Sequence, residues 1–369
     1  MTQTNFAALT TEQKTTWSRD LWKAARNNSF VMRFTGKGPN SAFQRITELT
    51  KSERGDQAVI TLVTDLTGDG VMGDTQLEDS EEEIKAYDQV ITIDQIRNAN
   101  RTTGRMADQK SIVNFRETSR DVLGYWLGDR VDQMAFLTLS GVAYTLHNNG
   151  ATRPVLAAGK NLGDLAYAAD VTAPSTNRHR RWTAAGLLAG DTTADDMTTP
   201  SYEMLVEAKA YAKTHYVRGI KAAGNDELYH IFMTPQGVAK LKLDPDFLAS
   251  AQNAQARSGK NSIWSGSIPT VDGLVIHEHR HVFNTVGAAG GSKWGSVGNT
   301  NGQRVLMIGA QALGIADLGV PYWNEDKFDY DNQLGISVGK ILGFKKPVWQ
   351  SIYDAGAEDF GVLCIDTTI

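Results

Sequence analysis

The chain has 369 residues, of which 41% are hydrophobic and 21% are charged. This composition is typical of a folded globular protein and argues against wholesale disorder, and the length allows two or three subdomains. The formal net charge of −5 argues against a surface devoted as a whole to nucleic acid. The single cysteine, Cys364, excludes an internal disulfide framework, and its apolar neighbours predict a buried thiol.

Targeting segments are not predicted. The N-terminal sequence MTQTNFAALTTEQK lacks the basic region and the apolar run of a secretory signal. No stretch approaches 18 consecutive apolar residues, so we expect no membrane-spanning helix. The chain is therefore expected to be made in a reducing compartment and to have no membrane partner.

The first predicted elements are a helix and a long hairpin. Residues 13–32 have the spacing of an amphipathic helix, whereas 57–65 and 86–97 are rich in β-branched residues and predict two strands. About twenty residues of acid and glycine connect these strands, which is long for a connection without a function. Because an isolated two-stranded ribbon is only marginally stable in water, we expect this ribbon to rest on another surface.

Charge is segregated along the chain. Residues 1–54 contain nine Lys/Arg against four Asp/Glu, and residues 65–84 contain eight acids and no base. Residues 97–120 are again mainly basic. Blocks of one sign repel internally and attract the opposite sign, either within the chain or on another copy of it.

The stretch TGDGVMGD, residues 67–74, carries two familiar signals. Its glycines have GxGxxG spacing, but acidic residues follow where a dinucleotide site needs a helix N-terminus. Counted from Asp65, it resembles the start of a calcium loop, yet Gln76 occupies the position of the bidentate glutamate. The simplest interpretation is that three glycines supply turn conformations at the ribbon tip: Gly68, Gly70 and Gly73.

The remaining elements predict a mixed α+β protein. Apolar residues recur at helical spacing over 108–139, with Asp108 as a plausible N-cap and Gly141 as a plausible stop. Residues 142–200 are loop-like. Further predicted elements are a helix from Thr199-Pro200 to Val217, a strand at 228–234, a helix starting at Thr234-Pro235, and strands at 334–344 and 360–368.

Two motifs could carry chemistry. On a strand, the imidazoles of His277, His279 and His281 would share one face, which suits a metal site, although an interfacial strand face is the simpler interpretation. The basic stretch 178–182 (RHRRW) fits a solvated loop, or less commonly a phosphate contact. Neither HExxH nor GxSxG occurs, so the sequence predicts no catalytic set, no cofactor and no enzyme.

A resemblance gives these features a context. Residues 55–111 (GDQAVITLVTDLTGDGVMGDTQLEDSEEEIKAYDQVITIDQIRNANRTTGRMADQKS) resemble the most recognisable stretch of the N4-like tailed-phage major capsid proteins. Residues 126–141 and 328–349 continue the resemblance, which covers about two thirds of the chain. LEDSEEE departs from the family's LEGNEE but keeps the acidic cluster, whereas the loops at 145–200 and 284–303 do not align.

The resemblance implies an HK97-like capsid fold. It predicts a major capsid protein that assembles through hexamers and pentamers into an icosahedral shell around double-stranded DNA, in a virion assembled in the bacterial cytoplasm. Portal and scaffolding proteins are implied partners, with a decoration protein as a further one. The implied domains are an N-terminal arm (1–54), an extended loop or E-loop (55–105), a peripheral domain with a spine helix (106–234 and 326–369) and an axial domain (235–325).

In this context the charge blocks become contact candidates. We expect ribbon acids of one subunit to meet bases of the next, and the candidates are Asp74, Glu78, Glu81, Glu82, Glu83, Arg97, Arg101 and Arg105. We expect the genome-facing residues to include Arg178, Arg180 and Arg181. The alternatives are a calcium- or metal-binding surface protein or adhesin, and a metal-dependent hydrolase.

Overall fold

The structure is a computed structural model in which one long helix lies in the hydrophobic core. The described residues are 19–25, 29–46, 57–63, 69–74, 76–78, 81, 86–110, 114–221, 227–254, 270–350 and 356–369. Helix α3 (Phe115–Ser140) is the longest described helix and carries buried side chains along most of its length. Its N-cap Asn114 accepts a hydrogen bond from the backbone N–H of Arg116.

The single helix predicted over 108–139 is wrong at its start. A separate helix, α2 (Arg105–Lys110), precedes α3, and Asp108 lies inside α2 rather than capping the long helix. The predicted end is confirmed, because Gly141 has a φ of 66° and its N–H bonds the last carbonyls of α3. A Cβ there would lie 2.5 Å from the carbonyl oxygen of Thr172. A larger residue is therefore disfavoured both by the positive φ and by this steric clash.

The other helices are short and mostly start at recognisable caps. They are α1 (19–25), α4 (Tyr202–Thr214), α5 (Pro235–Leu243) and α6 (Pro245–Ala254). Thr234 caps α5 with Pro235 in the first turn, as predicted. Helix α4 begins two residues later than expected because Ser201 provides the cap. No helix among the described residues has the length and apolar character to cross a bilayer.

Seven strands form one sheet that is covered on both faces. Its order is β10 (Leu274–Glu278), β9 (Glu227–Met233), β11 (Gly302–Ile308), β17 (Val362–Thr368), β6 (His179–Thr183) and β7 (Gly186–Ala189), with β8 (Ile220–Lys221) paired to β9. Leu306 and Ile308 of β11 enter the core under α3, while Val305 and Met307 enter the core that includes α4 and α5. This alternation with period two places the sheet between two helical layers.

A second sheet, of six strands, also packs against α3. It contains β1 (Thr35–Gly36), β2 (Phe43–Ile46), β12 (Leu313–Asp317), β14 (Gln333–Lys345), β13 (Tyr322–Phe328) and β5 (Asp94–Arg101). The strand predicted over 86–97 is therefore two strands: β4 (Ala86–Thr92) pairs with β3 (Gln57–Val63), whereas β5 pairs with β14. A separate two-stranded sheet consists of β15 (Val348–Gln350) and β16 (Ala357–Asp359).

The strands do not follow the predicted domain limits in a simple way. The seven-stranded sheet takes β10 and β11 from the predicted axial segment and its other strands from the predicted peripheral segment. The loop-like stretch 142–200 consists mainly of turns and short 3-10 helices, but it also contributes the hairpin of β6 and β7 to this sheet. The mixed α+β class is as predicted, and Cys364 is buried, with its pKa raised by burial to about 12.

A buried ion pair joins the seven-stranded sheet to the end of α3. Both carboxylate oxygens of Asp366 accept from the guanidinium of Arg304, at 2.7 and 3.0 Å. Arg304 also donates to the carbonyl oxygen of Ser140, and the ring of His179 lies 2.6 Å from Asp366. Because both charges are removed from water, each needs the other.

Asp366→Asn should destabilise the folded chain by about 3 kcal/mol, since it leaves the Arg304 guanidinium buried without its counter-charge. Urea unfolding followed by circular dichroism measures this difference. Asp326→Asn is the matched control, because Asp326 is exposed and its loss should change stability by less than about 0.5 kcal/mol. Equal effects of the two substitutions on stability would contradict the stabilising role of the ion pair between Arg304 and Asp366.

Candidate assembly surfaces

The ribbon of β3 and β4 has one face on the protein body. Residues on β3 alternate, and Ala58 and Ile60 are buried with Ile91 of β4 against Ala316 of β12. Gly314 makes this contact possible, because a Cβ at that position would lie 2.4 Å from the Ile60 side chain. The predicted ribbon is confirmed, and the surface that supports its base belongs to the same chain.

The other face of the ribbon carries an exposed apolar pair. Val59 and Val90 are directly opposite each other across the two strands and remain 49% and 36% exposed. Cross-strand β-branched pairs stabilise a ribbon only modestly, and exposed apolar side chains gain most when another surface covers them. Sequence reasoning missed this pair, although the alternation of β3 was the signal that could have found it.

The ribbon tip carries exposed acids on glycine turns. Gly70 and Gly73 have φ values of 74° and 66°, with no atom within 4 Å of a Cβ at either position. This supports the turn interpretation for these two glycines. The described acids at the tip are all exposed: Asp69, Asp74, Glu78 and Glu81. Gly68, Glu82 and Glu83 lie outside the described residues.

The three predicted basic contacts differ in their surroundings. Arg105 pairs with Asp331 at 3.2 Å, and the guanidinium of Arg101 lies 4.2 Å from the centre of the Phe328 ring and bonds the side chain of Gln333. Arg97 is exposed on β5, and the ion pairs within the described part of the chain do not include it. Arg97 is therefore the member of this set most available to another molecule.

The basic stretch 178–182 is mostly engaged inside the molecule. Arg178 is 2% exposed, lies 3.4 Å from Glu358 and donates to two backbone carbonyls, so a genome-facing role for this residue conflicts with its burial. Arg180 bonds the hydroxyl of Tyr211 and lies over its ring. Arg181 pairs with Asp196 through two nitrogens at 2.9 and 3.0 Å.

Comparison with known proteins decides the family. The family described as "Phage capsid protein" matches residues 5–369. A relative named "Major capsid protein", from Pseudomonas phage KPP25, is 54% identical over 365 residues, covering 98% of this chain and 96% of the relative. This chain belongs to the phage capsid protein family. It is a tailed-phage major capsid protein, as the sequence predicted, while the N4-like subgroup stays a prediction.

Solved capsid structures share the fold. The "Capsid of Ralstonia phage GP4" is 25% identical, with a TM-score of 0.73 over 92% of this chain and 90% of that chain. The "Cyanophage Pam1 capsid asymmetric unit" is 16% identical, with a TM-score of 0.71 over 100% of this chain and 96% of that one. The predicted HK97-like fold is confirmed by these likenesses.

Part of the predicted N-terminal arm of this capsid protein is built into its body. The carboxylate of Asp132 on α3 accepts hydrogen bonds from the Ser29 hydroxyl at 2.6 Å and from the backbone N–H groups of Phe30 and Val31 at 2.8 and 3.0 Å. Burial raises the pKa of Asp132, and these hydrogen bonds work against that increase. The arrangement fixes the start of the 3-10 turn Val31–Phe34 against the long helix.

The predicted histidine face is not formed. Strand β10 ends at Glu278, and the three imidazoles have different partners. His277 lies 3.0 Å from His230 on β9, His279 is stacked against the rings of Phe30 and Phe136 at centroid distances of 4.5 and 5.0 Å, and His281 is 2.7 Å from Asp129. No group of three or more His, Cys, Asp or Glu among the described residues is arranged to hold a metal. The calcium alternative at 65–74 falls partly outside those residues.

Burial of His277 and His279 disfavours the protonated imidazole in the folded protomer. Burial lowers the pKa of His277 to about 4 and that of His279 to about 3. The unfolded chain, with an ordinary histidine pKa near 6.5, therefore binds protons first as pH falls. The stability contributed by these two neutral histidines is therefore present above pH 6.5 and is lost as pH falls from 6.5 toward their folded-state pKa values.

His279→Phe should weaken this pH dependence, because phenylalanine can keep the ring contacts with Phe30 and Phe136 without a proton site. The stability lost between pH 7 and pH 4 should be smaller by on the order of 1–2 kcal/mol, discounted for partial exposure. Urea unfolding at each pH measures it. Asp132, whose raised pKa acts in the opposite direction, lies 4.0 Å from His279, so the measured difference includes any change in the Asp132 contribution. An unchanged pH profile would contradict the role of His279.

Proposed function

We propose that this capsid protein assembles through hexamers and pentamers into a closed icosahedral shell around double-stranded DNA. In this shell the ribbon of each subunit lies on the next subunit. The observation that carries the proposal is the two-sided ribbon, with Ile60 and Ile91 buried on the protein's own sheet and Val59 and Val90 uncovered. A contact between two different surfaces is heterologous, and repeated heterologous contacts close into rings.

Apolar burial and charge act together in this proposal. The exposed valines supply apolar area at about 25 cal/mol per Å² when a neighbouring subunit covers them. Each exposed ion pair at the tip adds only about 0–1 kcal/mol, so electrostatics mainly sets the register. The total stabilisation of the shell grows with the number of subunits, since every subunit repeats both contacts.

For the acids closest to the second strand, we propose Arg97 of the neighbouring subunit as the partner. These acids are Glu81, Glu82 and Glu83. Arg101 and Arg105 are weaker candidates because each already contacts the hairpin of β13 and β14 on its own chain. The basic N-terminal arm is a further candidate for the same acids.

The domain limits and the partners of the chain are part of the same proposal. We assign residues 1–54 to the arm, 55–105 to the E-loop, 106–234 with 326–369 to the peripheral domain and 235–325 to the axial domain. Portal and scaffolding proteins, a decoration protein and packaged DNA are the proposed partners besides the chain itself. For non-specific DNA contact the remaining candidates are Arg180 and Arg181, which would have to exchange their present partners for phosphates.

Reversing Glu81, Glu82 and Glu83 to Lys should prevent shell formation while leaving the protomer folded, since these positions would then be positively charged and would repel the basic surface of the neighbouring subunit. Adding Arg97→Glu should restore part of the shell yield. Negative-stain electron microscopy and size-exclusion chromatography measure assembly, and circular dichroism checks the fold.

Arg101→Glu in place of Arg97→Glu is the matched control, because it reverses a charge on the same strand that is already engaged within its own chain. The pairing would be disproved by a normal shell yield from the triple lysine variant. Equal rescue by Arg97→Glu and Arg101→Glu would remove the specific role of Arg97.

A further inference from the structure

A cluster of cations lies near the C-terminal half of α3. Arg130 and Arg153 both donate to the side-chain oxygen of Gln133, at 2.6 and 3.0 Å. Both arginines are half-buried, and His147 is in the same environment. Two guanidinium groups thus share one neutral acceptor, and Asp129 is the carboxylate that acts on both of them electrostatically.

The facing carboxylate is already occupied. One oxygen of Asp129 accepts from Arg280 at 3.1 Å and from His281 at 2.7 Å, and the other accepts from the amide of Gln133 at 2.7 Å. Within the described part of the chain, Arg130 and Arg153 take part in no ion pair. Burial and the guanidinium of Arg130 both lower the pKa of Arg153, as expected for clustered like charges.

Exposed apolar side chains lie next to this cluster. Val155 is 90% exposed and Leu156 is 54% exposed, and they follow Arg153 in the chain after Pro154. Their loop is held by side-chain hydrogen bonds, because Asn161 accepts from the backbone of Leu156 at 2.7 Å and Asp164 from that of Gly159 at 2.8 Å. The surface is therefore a preorganised combination of positive charge and apolar area, which favours a partner with acidic and apolar side chains.

The ribbon tip of another copy has this chemistry. Leu77 is 59% exposed and is flanked by the exposed acids Asp74 and Glu78. We infer that the distal ribbon tip of one subunit docks on the Arg130–Arg153 cluster and the Val155–Leu156 loop of another subunit. This inference rests on the proposed function, since it needs subunits to meet through their ribbons. It leaves Arg97 as the partner of the acids that lie closer to β4.

Cysteine pairing between two copies tests the docking directly. Differently tagged copies carrying Leu77→Cys or Val155→Cys are co-assembled, oxidised and separated without reductant. A mixed disulfide dimer is expected from shells, because a disulfide requires Cα atoms within about 7 Å. A parallel assembly replaces Val155→Cys by Ala99→Cys, which is exposed beside Arg97. Cys364 is fully buried, so it should not contribute.

The inference would be overturned if Leu77→Cys formed mixed dimers with Ala99→Cys but not with Val155→Cys, or if shells formed without any mixed dimer. In either case the proposed function would stand. Failure of the wild-type chain to form shells under any condition, alone or with its scaffolding partners, would overturn both. The cysteine positions are exposed, so their substitution should leave folding unchanged.

The double variant Arg130→Gln, Arg153→Gln gives a second readout. The protein concentration needed for half-maximal shell formation should rise roughly five- to thirty-fold, while Lys160→Gln, an exposed charge in the same loop, should leave it unchanged. If the double variant forms shells at the normal concentration but the shells contain less nucleic acid, the cluster binds phosphate instead and the inference is wrong.

Discussion

Burial of β11 and β17 on both faces is the constraint on which the rest of the structure depends. Alternate side chains of these strands enter two separate cores, one shared with α3 and one that includes α4 and α5. A sheet that is apolar on both sides requires a layer on each. The long helix provides one layer, and the pair of Arg304 and Asp366 holds its end in place on the sheet.

Charge is treated differently inside the molecule and at its edges. Buried cations have carboxylate partners, as in the pairs of Lys346 with Asp359 and Lys340 with Asp317. Removal from water makes an unpaired charge too costly there. At the ribbon tip, water screens like charges and makes their proximity tolerable. Acids that are not used for folding therefore remain available for contacts between subunits.

The junction between ribbon and body depends on close backbone approach. Gly314 and Gly343 lie under the ribbon, where a Cβ would meet the Ile60 side chain at 2.4 Å and the Thr92 carbonyl at 2.3 Å. The N-terminal segment is attached by a different device, the carboxylate of Asp132 with its three donors. Both attachments join segments that are remote in sequence to the body of the protein.

Local sequence patterns were enough to predict the ribbon, the long helix, the mixed class and the family. The patterns are β-branched residues in 57–65, helical spacing over 108–139, Gly141 as a stop, and an ordered series of motifs along 55–111. Helix starts were less predictable, because Asp108 and Asn114 are equally good caps and packing selects between them.

Which polar groups are paired and which are exposed depends on the packing of distant segments. Arg178 and Arg97 look alike in sequence, yet one is buried against Glu358 and the other is exposed on a strand. The three histidines after Val275 have the spacing for one face, but β10 ends before the second of them and separates their partners. Charge and spacing are local properties, whereas pairing depends on segments more than a hundred residues apart, which only the folded chain brings together.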